Sequence, residues 1–178
     1  MEQTKMNDFK KIELTFEGKD YNCCYLGNID LLSQIDFAFL CPSKCPGNII
    51  IKARELAFEW LKKELTVAGG FHSPVERQVV NVLMKGSQPI VICLAVPLEN
   101  MSVPETWKKG ILEERILVIT PIRKTDAQRP TQELCDIRDK FVTKLAAKIY
   151  IPYVDEHATI AELYKRLKQE GKLIFSEI

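Results

Sequence analysis

Hydrophobic residues fall along the chain in two alternating rhythms. From residue 37 onward, short runs that are apolar at nearly every position give way to longer stretches in which apolar residues return every three to four. The runs FAFLC (37–41), TVA (66–68), PIVICLAV (89–96), RILVITP (115–121) and KIYIPYV (148–154) read as strands. Residues 48–64, 74–85, 104–113, 131–147 and 158–169 read as helices, the first opening a stripe of Ile50, Ala53, Ala57, Leu61 and Leu65. IVICLAV and ILVIT are apolar at consecutive rather than alternate positions, which is how strands covered on both faces read. Upstream, KIELTF (11–16) and YNCCYL (21–26) predict a hairpin around Gly18-Lys19-Asp20, and LIF (173–175) an added edge strand.

Strand followed by helix, five times over, predicts an α/β fold: a Rossmann-like three-layer sandwich with a mainly parallel central sheet. Residues 1–24 form an N-terminal extension in this reading and 25–178 the Rossmann domain. Right-handed crossovers then bring every strand's carboxyl end to one edge, so the search for function narrows to the segments that follow the strands.

Composition changes this picture little. At 178 residues, 46% hydrophobic and 28% charged, the chain matches an ordinary globular domain. Twenty-five basic against 24 acidic residues exclude a whole-chain attraction to nucleic acid or anionic membrane, so any anion site must be local. The N-terminal segment lacks a secretory apolar run and no stretch approaches a membrane span, so the expected location is cytoplasmic. There the six cysteines are expected reduced, most of them acting as small hydrophobes.

Three segments on the carboxyl edge carry candidate chemistry. CPSKCPGN, after the first core strand, offers Ser43, Lys44 and a helix start at which an anion could meet backbone amides. A plain strand-to-helix turn explains it equally well. Cys41 and Cys45 have no second pair at zinc spacing, so no metal is expected. After the second strand, Ser73, Pro74 and Glu76 spell a capping box that could fully occupy the serine and the glutamate. Gly69 and Gly70 before it allow a ligand or another backbone to come close, and His72 could donate to a phosphate. After the fourth strand, polar residues 123–130 predict a mobile loop, and Arg138, Lys140, Lys144 and Lys148 a basic stripe. Lys144 and Lys148 read as a solvated face; Arg138 and Lys140 are better placed to reach an anion. No nucleophile elbow, Walker sequence, HExxH or GxGxxG is present.

These segments, in this order, resemble the DNA-processing protein A (DprA/Smf) family, in the Rossmann-like group that also holds the LOG proteins. The family's GNxxLL resembles Gly27-Asn28-Ile29-Asp30-Leu31-Leu32, and its VG(S/T)R turn Cys41-Pro42-Ser43-Lys44. SGxARGID resembles residues 69–76, and RNRIIAGL residues 138–145. The resemblance, running from about residue 25 to 154, implies a protein that binds single-stranded DNA, assists recombinase loading and forms homodimers, with no cofactor and no membrane. Carried over by position, Ser43, Lys44, Gly69, Gly70, His72, Ser73, Arg138 and Lys140 are expected to bind phosphate, and no catalytic residue is expected. The chain departs from the family at Lys44, Ser73 and Pro74, and Arg138-Asp139-Lys140 replaces RNR, which removes cations and leaves a free nucleotide as an alternative guest. Residues 69–76 also resemble the LOG motif GGxGTxxE, which implies instead a nucleoside monophosphate phosphoribohydrolase acting through Glu76. A third reading is a non-catalytic nucleotide sensor working through a protein partner.

Overall fold

Glu17 and Gly18 both take positive φ, 51° and 76°, which makes them the two-residue turn that matches the right-handed twist of paired strands. They join β1 (Lys10–Phe16) to β2 (Lys19–Gly27), so Lys19 and Asp20 belong to the second strand rather than to the turn expected around 18–20. Thr15 Oγ1 donates to Asp20 Oδ1 across this end of the ladder at 2.7 Å. The computed structural model describes residues 9–125, 127 and 129–176; Asp126 and Gln128, within the predicted mobile loop, lie outside the described residues.

The core elements follow in the predicted order: β3 (Phe37–Phe39), α1 (Gly47–Lys62), β4 (Val67–Gly69), α2 (Pro74–Leu83), β5 (Ile90–Cys93), α3 (Glu105–Leu112), β6 (Ile116–Thr120), α4 (Gln132–Leu145), β7 (Lys148–Tyr150), α5 (Thr159–Gln169) and β8 (Leu173–Phe175). Strand order across the one eight-stranded sheet is β1-β2-β6-β5-β4-β3-β7-β8. Pairing is parallel from β6 to β8, whereas β2 meets β6 antiparallel and adds the hairpin to the same sheet. This is the mainly parallel α/β architecture that the apolar runs predict.

Alternate strand residues feed two separate cores, which is why the runs are apolar throughout. Phe39, Val67, Ile90, Ile92, Ile116 and Val118 pack beneath α1, α2 and α3, while Ala38, Ala68, Val91, Cys93, Leu117 and Ile119 pack beneath α4 and α5. All six cysteines are free thiols, and burial pushes Cys23 up to about 12 and raises Cys41 and Cys93 as well, in keeping with apolar packing. The stripe on α1 is rotated from the expected one. Ile49, Ala53, Ala57 and Trp60 are buried, and Ile50 is 39% exposed, because Trp60 must reach Phe37, Phe39 and Tyr150 on the sheet.

The chain runs outward from β3 through β4, β5 and β6, then returns to place β7 on the other side of β3. Loops leaving β3 and β7 therefore diverge to opposite faces, opening a crevice at their carboxyl ends.

Candidate functional site

That crevice is a hollow of about 280 Å³. Leu40 to Lys44 after β3, His72, Ser73 and Glu76 after β4, Gln132, Cys135, Arg138 and Asp139 of α4, and Asp155 and Ala158 to Ile160 before and within α5 line it. Ser43, Lys44, His72, Ser73 and Arg138, predicted from three separate segments, thus meet in one place.

The floor is built by Glu76. Ser73 caps α2, its side chain accepting from the Glu76 amide at 3.2 Å, and Glu76 Oε2 accepts in return from the Ser73 amide at 3.0 Å. The same oxygen accepts from the His72 amide at 2.9 Å, and Oε1 accepts from the Cys41 amide, on the neighbouring turn, at 3.0 Å. The amides expected to face a phosphate are therefore occupied by the protein's own carboxylate, which is 3% exposed.

Arg138 is buried to 6% exposure, a depth that an arginine reaches only when paired. Its Nε and Nη2 meet Asp139 Oδ1 at 2.9 and 2.8 Å. Among the described residues Nη1 has no acceptor, and Arg138 lines the hollow. Burial opposes the arginine's charge, but Asp139 and Glu76 outweigh it, and its pKa lies above the ordinary value. Burial pushes Asp139 up to about 6, against the pull of Arg138. Burial also lowers the His72 pKa, with Arg138 and Arg77 adding to the effect, so the ring is neutral at pH 7 and offers a donor rather than a charge.

The glycines act differently from expectation. A Cβ on Gly70 would lie 2.5 Å from Arg138 Nε, so the group that needs the close approach is this arginine, not a ligand. Gly69 is buried within β4, where a Cβ would meet the Phe39 carbonyl oxygen at 3.0 Å. The left-handed residue of the turn is Phe71, with φ 48°. Lys140 faces away from this hollow into an adjoining groove between α4 and α5, among Asp136, Asp139, Glu162 and Arg166. Nor do the basic residues form the expected stripe along one helix: Lys144 pairs with Glu17 and Glu170 at 2.6 and 3.3 Å, and Lys148 falls on β7, where it stands over the Phe37 ring.

Two cations, Lys44 and Arg138, thus face three carboxylates, Glu76, Asp139 and Asp155. The hollow is no positive funnel; what it offers an anion is directed donors rather than net charge. Asp139 and the 155–160 segment escaped the sequence reading as lining, although the rule that sites follow strands points to the segment after β7. Among the described residues no cluster of three His, Cys, Asp or Glu side chains could hold a metal ion, and no helix is long and apolar enough to cross a membrane.

No family model and no curated protein matches the sequence. Solved structures do. DNA processing protein A of Streptococcus pneumoniae superimposes with a TM-score of 0.74 at 14% identity, over 96% of this chain and 63% of that one. The chain has the DprA fold. The DprA protein of Helicobacter pylori, whose structure was described for its single-stranded DNA binding mode, gives 0.72 at 16% identity, over 95% of this chain and 80% of that one. The resemblance drawn from the four motifs is therefore shared at the level of the DprA fold, and the chain spans less than two thirds of the S. pneumoniae protein.

Proposed function

We propose that the protein binds single-stranded DNA, a few nucleotides at a time, at the crevice between β3 and β7, and that it does so without catalysis. The observation that carries this reading is the buried Arg138, held over Gly70 and lining the hollow together with exposed Lys44. Shared fold with a DprA protein described as a single-strand binder supports it. Phosphate contacts supply most of the sequence-independent affinity for single strands, and two donors of this kind position a backbone rather than read a base. Commitment of Glu76 to three amides speaks against the nucleosidase alternative, because a catalytic carboxylate must be open to the substrate.

Fluorescence anisotropy with a labelled single-stranded oligonucleotide at roughly 50 mM salt tests the proposal, with a duplex of equal length as control. Binding of the single strand that weakens in Lys44→Glu supports it. No binding to either, together with a rise in Tm on adding a nucleoside monophosphate, replaces the strand by a free nucleotide as the guest.

A further inference from the structure

A capping box needs only one reciprocal bond, in which the N3 glutamate accepts from the N-cap amide, here that of Ser73. Glu76 makes two more. One goes to His72, a residue before the helix, and one to Cys41, 35 positions upstream on the turn that leaves β3. Three backbone N–H groups from two turns, converging at a helix's positive end on a planar oxyanion that is 3% exposed, form the arrangement in which strand-to-helix turns hold phosphate. Here the anion is covalently part of the chain. Filled donors and a fixed negative charge then act together against a second anion at the same place.

We propose that Glu76 is the resident ligand of this three-amide nest, closing it to guest oxyanions and leaving Arg138 and Lys44 of the same hollow to receive a ligand's phosphate. The second half rests on the proposed binding function; the first half stands without it. The consequence is a displaced site. A guest held by Arg138 and Lys44 sits in the hollow beside the filled nest rather than on the α2 N-terminal amides, where the turn sequence alone puts it.

The test uses inorganic phosphate, so it does not depend on any nucleic acid. Nitrogen-15-labelled wild type, Glu76→Ala and Glu76→Asp are titrated with phosphate at neutral pH against chloride of matched ionic strength, following the amides of Cys41, His72 and Ser73 and the Tm. In wild type these three amides move far less than in Glu76→Ala. In Glu76→Ala they shift saturably, with a phosphate midpoint at least about tenfold below any seen in wild type, and phosphate restores part of the lost Tm. Glu76→Asp keeps a carboxylate able to cap Ser73 but withdraws it from the neighbouring turn, so phosphate shifts Cys41 foremost; this variant serves if the alanine variant does not fold. Saturable movement of the three amides in wild type as large as in Glu76→Ala overturns the proposal, as does the absence of any saturable shift in both variants. Failure of wild type to bind oligonucleotide sinks the functional reading alone and leaves this result intact.

Discussion

Gly70 and Arg138 compete for one volume, and that competition fixes the most informative single change. An alanine at 70 puts a Cβ 2.5 Å from Nε and 2.6 Å from Cζ of a guanidinium that has little room to retreat, at 6% exposure. Gly70→Ala is expected to cost about 1–3 kcal/mol, as overpacking does, and to weaken oligonucleotide binding with it; a denaturant melt and an anisotropy titration on the same sample check both. Asp139 sets the pH response. Its folded pKa of about 6 means that it is ionised at pH 7.5 and protonated at pH 5. Proton uptake removes a negative charge from beside the hollow and loosens its hold on Arg138, so affinity for an anion rises as pH falls through 6. His72, whose pKa lies below its ordinary 6.5, gains charge at the acid end and pushes the same way. An affinity-against-pH series is expected to climb toward acid in wild type and to flatten around pH 6 in Asp139→Asn, leaving the smaller His72 step.

At the scale of elements, the site depends on how helices begin. Ser73 caps α2 and brings Glu76 to its amides, so Ser73→Ala is expected to cost about 1 kcal/mol in a chemical melt. Further from the site, Lys144 ties the turn of the β1–β2 hairpin to the end of α5 through Glu17 and Glu170. Because the Lys144 side chain is only 12% exposed and meets two carboxylates, Lys144→Ala is expected to lower Tm as well as to speed amide exchange in the hairpin. The sequence disclosed such elements unevenly, for physical reasons. Consecutive apolar residues announced β5 and β6, since a strand buried on both faces has no polar side to obscure it. The capping box announced the start of α2, since its chemistry is local. What stayed hidden was non-local: that Glu76 reaches the amide of Cys41, that Arg138 packs on Gly70, and that Lys144 finds Glu17 across 127 positions. Spacing along the chain predicted a basic stripe on one helix; only the fold could show that Lys148 belongs to β7 and that the others are paired or turned into another groove.

For the whole molecule, a formal charge of +1 removes long-range steering, so binding must draw on the few cations at the crevice. Two phosphates neutralised, by Lys44 and Arg138, correspond to a slope of about −1.4 in log affinity against log salt, at roughly −0.7 per phosphate of a single strand. Exposed Arg123, Lys124 and Arg129 on the β6–α4 connection steepen the slope if the strand extends over them. The two cases separate by mutation. If the crevice alone holds the strand, Lys44→Ala halves the slope, whereas neutralising the three loop residues leaves it unchanged. A steep slope that survives Lys44→Ala and collapses on neutralising the loop moves the interface from the crevice to that connection, and with it the role of Arg138 from ligand donor to a strut between α4 and the β4 turn.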